Sequence, residues 1–221
     1  MKKIAVIVAG GSGSRMKSAI PKQFLFLKNK PILWHTITAF TKAFDDIEII
    51  IVLPASYAEE GKKIADSFST PHKIICINGG ETRFRSVKNG LDLISEEAII
   101  FVHDGVRCLV SETLIRNCYQ QALEKGSAIP CIAVTDSIRI IEGSKNKLLN
   151  RENIRIIQTP QTFISKLILP AFQQDYQSSF TDEASVVEAF GKEIYLIEGE
   201  EENIKITRPI DLIIAERIIK N

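Results

Sequence analysis

The chain predicts an α/β fold: a mostly parallel sheet covered by helices on both faces, with a protruding β-hairpin arm. Three observations carry that expectation. Short β-branched runs alternate with segments of helical period through the first 134 residues, the order that gives a parallel sheet with right-handed crossovers. Over residues 135–157 the alternation gives way to period-two patterning around a charged tip. Finally, 221 residues with 45% hydrophobic content and no repeat, low-complexity stretch or linker suit one domain, 1–221, with a substantial core.

Taken in order, residues 4–9 (IAVIVA) form a short buried strand that empties into GGSGSRM at 10–16, followed by Pro21, Lys22 and Gln23. Pro31 suits a first helical turn, and Leu33, Ile37, Phe40 and Phe44 follow at helical spacing. Residues 47–53 (IEIIIVL) read as a strand covered on both faces, closed by Pro54. A helix over 55–68 and a strand over 73–77 come next. Gly79 and Gly80 then open a loop before a helix over 83–94, and AIIFV at 98–102 is a buried strand. Ser111 caps a helix carrying Leu114, Ile115, Cys118 and Leu123, and another strand covers 128–134. The arm at 135–157 has little core of its own, so a second subunit is its expected support. Thr181-Asp182-Glu183 caps a helix that Gly191 ends, 193–197 is a strand, and 209–220 is a closing amphipathic helix.

Composition excludes several function classes. With 28 basic and 27 acidic residues the formal charge is +1, so no global field draws in nucleic acid or an anionic membrane. Cys76, Cys108, Cys118 and Cys131 form no C-x-x-C pair, no secretory pattern opens the chain, and no apolar stretch approaches membrane-spanning length, which together suggest a cytoplasmic protein. His35, His72 and His103 lack metal-spaced partners, so no zinc site is expected. Trp34, Phe40 and Phe44 read as core.

The glycine loop is where chemistry enters. Glycines let backbone N–H groups approach anionic oxygens that a side chain would block, and Arg15 and Lys22 can add charge to the same phosphates. The dinucleotide fingerprint fails because Met16 stands where its third glycine or alanine belongs, and no acidic residue ends the second strand. The P-loop fails because Arg15 and Met16 occupy its Gly-Lys positions. What remains is G-G-x-G-x-R-M with a Pro-Lys a few residues on.

With VAGGSGSRM and PKQF (8–16, 21–24), the chain also has GGETRFRSV (79–87), VHDGVR (102–107), NRENIRIIQTPQTF (150–163), TDEAS (181–185) and GEEENIKITRPIDL (199–212). In these blocks it resembles the Rossmann-like nucleotide-diphospho-sugar transferases, and among them the methylerythritol-phosphate cytidylyltransferase family. That resemblance implies transfer from CTP to a polyol phosphate with Mg²⁺, in a homodimer. It implies Arg15, Lys22 and Lys205 as catalytic cations. Nucleotide contacts fall to Ala9, Gly10, Gly11, Gly13, Gly80, Glu81 and Ser86. Acceptor contacts fall to Asp104, Arg107, Ser137, Arg151, Thr159 and Thr181, with Asp104 also a metal ligand and the arm lent across the dimer. The chain departs from the family pattern at Gly105, Val106 and Cys108, at Ser137 in place of a threonine, and at Phe84 and Arg85. A ribitol 5-phosphate cytidylyltransferase and a non-catalytic nucleotide-binding module are the competing readings. A metal-dependent glycosyltransferase would show an Asp-x-Asp triplet, which is absent.

Overall fold

The structure of the chain, a computed structural model, describes residues 1–11, 16, 20–68 and 73–219. Its centre is β1 (Lys2–Val8), paired in parallel with two later strands. A minimal hairpin, β2 (Phe26–Leu27) and β3 (Lys30–Pro31), leads into α1 (Ile32–Ala43) and β4 (Ile47–Leu53). The helix expected over 55–68 is divided. A 3-10 turn at Ala55–Tyr57, closed by Tyr57 N–H on the Pro54 carbonyl at 2.9 Å, precedes α2 (Ala58–Asp66). β5 (Ile74–Asn78), α3 (Arg83–Leu91), β6 (Ala98–Asp104), α4 (Glu112–Lys125) and β7 (Ser127–Ala133) continue the alternation. Thr82 and Ser111 cap α3 and α4, each accepting from a backbone N–H in the first turn, and Gly126 ends α4 at φ 91°.

Beyond residue 134 the sequence expectation needs correction. The free arm is β8 (Ile138–Glu142) and β9 (Lys145–Leu149) alone; β10 (Arg155–Ile157) returns to the main sheet, antiparallel to β7. After a bulge at residues 158–160 the chain continues antiparallel to β7 as β11 (Gln161–Ile164), which also pairs with β6. The helix α5 (Ser165–Ala171) and α6 (Glu183–Ala189) follow. Then come β12 (Leu196–Glu198), parallel to β7 and starting later than expected, and α7 (Pro209–Ile218). Among the described residues the main sheet has eight strands: β5, β4, β1 and β6 lie side by side in parallel, then β11 with β10, then β7, with β12 on its far edge.

The apolar strands split their side chains between two cores, as a period of two demands. Ala5, Ile7, Ile99 and Phe101 face α1 and α4 with Ile37, Phe40 and Ile115. Ile4, Val6, Ile100 and Val102 face α3, α5 and α6 with Val87, Leu91, Ile168 and Val186. A third cluster under α7 joins Met16, Leu27, Ile32, Val106, Cys108, Ile206 and Ala215. This layering leaves the carboxyl ends of β1, β5 and β6 open at one edge, the usual ligand position of such sheets. No helix among the described residues is long and apolar enough to cross a membrane.

Candidate active site

A cleft of about 330 Å³ opens at those strand ends, lined by Val8 to Gly11, Lys22, Gln23, Gly80 to Arg83, Ser86, Asp104, Val106, Lys205 and Thr207. Its first wall is the start of the glycine loop. Neither Gly10 nor Gly11 has a positive φ, and among the described residues a Cβ built on Gly10 meets nothing within 4 Å, while on Gly11 the nearest atom is Lys22 Cε at 3.9 Å. Among the described residues, therefore, neither packing nor a positive φ calls for glycine there. Gly79 and Gly80 differ, because a Cβ on either would press on Ser86 Oγ or on the Arg85 side chain. Ser86 Oγ accepts from Gly80 N–H at 3.1 Å and donates to the Thr82 carbonyl at 2.9 Å, which holds that loop open.

The floor is Asp104, the last residue of β6 and 7% exposed. Three cations converge on its carboxylate: Lys205 Nζ at 2.9 Å and Arg107 Nε at 3.5 Å from Oδ2, and Arg83 Nη2 at 3.4 Å from Oδ1. Burial alone would raise its pKa, but the field of Arg83, Lys205 and Arg107 prevails and holds the carboxyl well below the usual range. Arg83 also forms a two-pronged pair with Glu183, which is 1% exposed at the start of α6. Burial raises the pKa of Glu183, and Arg83 offsets part of that effect.

Two ties hold the far wall. Lys22 Nζ donates to the Ile206 carbonyl at 3.0 Å, joining the first loop to the segment that carries Lys205. Behind them, Asn203 is fully buried and donates to the Thr159 carbonyl at 2.9 Å, while Gln158 Nε2 donates to the Glu200 carbonyl at 2.7 Å. His103, also fully buried, donates from Nε2 to the Arg107 carbonyl at 3.0 Å, because a carbonyl can only accept. Its Nδ1 then accepts from Thr159 Oγ1 at 3.0 Å, and that oxygen accepts from Asp104 N–H at 3.1 Å. Burial pulls the His103 pKa down to about 4, so this relay is neutral near pH 7.

The sequence model of the 2-C-methyl-D-erythritol 4-phosphate cytidylyltransferases matches residues 3–221. A protein of that name from Phocaeicola vulgatus is 44% identical over 219 residues, covering 99% of this chain and 100% of its own. The chain belongs to this family. It is a cytidylyltransferase, and solved structures agree on the fold. The 4-diphosphocytidyl-2C-methyl-D-erythritol synthase of Anaerococcus prevotii superimposes with TM-score 0.83 at 28% identity, over 98% of this chain and 95% of that one. The Francisella tularensis family member does so with TM-score 0.79 at 33% identity, over 99% and 100%.

Measured against the family pattern, the cleft collects Ala9, Gly10, Gly11, Gly80, Glu81 and Ser86 with Lys22, Asp104 and Lys205. Gly13 and Arg15, like His72, lie outside the described residues. Arg107 lies behind Asp104, donating to the Asn203 carbonyl at 2.7 Å. Thr159 is 5% exposed with its hydroxyl engaged as above. Thr181 is exposed beside the Asp182 cap of α6; Ser137 and Arg151 are exposed at the base of the arm and do not line the cleft of their own chain. The Gly105 and Val106 departures are absorbed by packing: a Cβ on Gly105 would crowd Ala9, and the Val106 carbonyl accepts from Ile206 N–H at 3.1 Å. Cys108 is buried, with its thiol pKa pushed up to about 12. Sequence reasoning missed Arg83, Gln23 and Glu183. Arg83 carried a usable signal, because a cation in the first turn of a helix opposes the macrodipole and needs another reason to be there.

Proposed function

We propose that this cleft transfers a cytidylyl group from CTP to 2-C-methyl-D-erythritol 4-phosphate. The products are 4-diphosphocytidyl-2-C-methyl-D-erythritol and pyrophosphate, a step of non-mevalonate isoprenoid synthesis. The observation that carries this reading is the cleft in which Gly10 and Gly11, unobstructed among the described residues, share a lining with Lys22, Lys205 and Asp104. Missing side chains there make room for a ligand's phosphates. An acceptor phosphate oxygen bonds to the α-phosphorus while the bond to the bridging oxygen of the β-phosphate breaks, and pyrophosphate departs with the electron pair. A phosphate monoester has its second pKa near roughly 6, so it is already an anionic nucleophile and needs no general base. The demand is for positive charge around phosphorus, which Lys22, Lys205 and Arg15 supply.

Of these, Asp104 orients Lys205, whose Nζ lies 2.9 Å from its Oδ2. It would also offer a divalent ion a buried carboxylate on the cleft in exchange for a contact to Lys205, Arg83 or Arg107, and no group of three His, Cys, Asp or Glu converges among the described residues. Mg²⁺ would therefore take its other oxygens from phosphates and water, and when bound it would neutralise phosphate charge. The arm exposes 76% of Ile141 and 66% of Leu148, an unsupported surface that favours a homodimer. In that dimer Ser137 and Arg151 of the partner subunit would reach the acceptor. Free cysteines throughout favour a reducing, cytoplasmic setting.

Pyrophosphate release from CTP, with methylerythritol phosphate and ribitol 5-phosphate offered separately, tests the reaction. Faster turnover of the first is expected; preference for the second, or CTP binding without turnover, overturns it. Sedimentation of the active enzyme tests the dimer, and a fully active monomer refutes the shared site.

A further inference from the structure

One guanidinium joins three parts of the site that are remote in sequence. Arg83 opens α3, directly after the loop holding Gly80 and Glu81. It pairs with both oxygens of Glu183, 100 residues away at the start of α6, and its Nη2 lies 3.4 Å from Asp104 at the end of β6. Thr181, which begins the acceptor segment, precedes Glu183 by two residues. Arg83 is 29% exposed toward the cleft, whereas Glu183 is closed off at 1%. The other charged neighbours of Glu183 are Asp104 and Asp182, both acids, so Arg83 is its counter-charge among the described residues. A lysine could meet one carboxylate in this position. The fork of an arginine meets two, at fixed angles.

We propose that Arg83 is a positioning residue that sets the spacing between the nucleotide loop and the acceptor helix, an assignment that rests on the cytidylyl transfer proposed above. The pair with Glu183 anchors α6 to α3, and the contact with Asp104 registers both against the floor from which Lys205 is aimed. Nucleotide binding draws on the two glycine loops and Lys22; transfer also needs the acceptor phosphate held in line with the α-phosphorus, where an error of about 1 Å can cost 100-fold in rate.

Arg83→Lys and Glu183→Gln test this, the second being a near-isosteric change at a side chain that does not line the cleft. For each, kcat and the KM for methylerythritol phosphate are measured beside the calorimetric Kd for CTP alone. Both variants are expected to lower kcat by about 10- to 100-fold and to raise the acceptor KM about 10-fold, with the CTP Kd changed less than about threefold. The double variant should be no worse than the poorer single one, because the two residues act as a unit. A CTP Kd weakened tenfold in Arg83→Lys makes Arg83 a nucleotide ligand instead and overturns the proposal. So do additive losses in the double variant, or a lowered melting temperature with unchanged kinetic constants. Wild type that cannot use the methylerythritol acceptor removes the assigned reaction as well; wild type that turns over normally beside indifferent variants removes this proposal alone.

Discussion

The sheet carries a charge cluster at each end, and the two are built alike but placed differently. At the carboxyl ends, Asp104 meets Lys205, Arg83 and Arg107 with its side chain 10% exposed. At the amino ends, Glu48 meets Lys2 at 2.8 Å and Lys73 at 3.2 Å, and Lys2 reaches Glu96 at 2.7 Å; those side chains are 24, 35, 63 and 61% exposed respectively. The distances alone would rank the second cluster as high as the first. Solvent decides otherwise, since water screens the exposed pairs and competes for their hydrogen bonds, while a buried carboxylate has no substitute for its partners. The lesson is that ion-pair geometry becomes function only where water is kept out and a ligand is let in.

Removing a cation from the carboxyl end should have the largest effect. Lys22→Ala is expected to lower kcat by about 1,000-fold or more with the fold intact, as single-turnover assays with saturating CTP and circular dichroism would show. Near-normal turnover would remove the role given to Lys22. Asp104→Asn should come next, with kcat/KM reduced about 100-fold and stability lowered by about 3 kcal/mol, because three cations lose their shared anion. Urea denaturation measures the second figure; an unchanged midpoint would mean that the cluster adds no more than its exposed counterpart.

How much of this was legible depends on what kind of physics each part uses. The strand at 47–53 and the Ser111 cap were found where they stand, because continuous apolar burial and capping leave local marks. The residues expected to meet the nucleotide also left a local mark, since Gly10, Gly11 and Gly80 stand out in the sequence and the structure brings them to one cleft. The segment at 158–164 left none. Gln158, Thr159, Gln161 and Thr162 are all buried although polar, and the first three are satisfied by distant partners: Gln161 Nε2 donates to Asp182 at 2.8 Å, and its Oε1 accepts from Ala184 N–H at 2.8 Å. No hydrophobic period marks such a strand. The pairing of Arg83 with Glu183, 100 residues apart, was hidden by the same non-locality.

The carboxyl end should also respond to acid in two windows. His103 is neutral when folded, with a pKa of about 4 against roughly 6.5 in the unfolded chain. Between those values the unfolded chain takes up a proton that the folded one refuses, so stability falls as pH drops below about 6.5, by up to about 1.4 kcal/mol per unit, and the loss levels off near 4. Asp104 contributes in a lower window: its folded pKa is depressed, so its stabilisation is complete above the unfolded value near roughly 4 and is lost only below it. Unfolding free energies at pH 7 and pH 5 should therefore differ by about 2 kcal/mol, and His103→Asn should flatten that difference. A midpoint that stays level in wild type would show that His103 takes its proton while folded.

The smallest effect belongs to the amino end. Glu48→Gln removes the centre of the exposed cluster and leaves the carboxyl end untouched, since Glu48 heads β4 at the sheet edge opposite the cleft. Lys2 keeps Glu96, and Lys73 is already 63% exposed to water. The melting temperature should move by about 1 °C or less, and half-molar salt should erase even that shift, because counterions screen such pairs within a few ångströms. The kinetic constants should not move. A loss of activity would be the more instructive failure: it would mean that charge at the amino ends of β1 and β4 is felt along the strands at Val8 and Asp104, and that the two clusters belong to one electrostatic system.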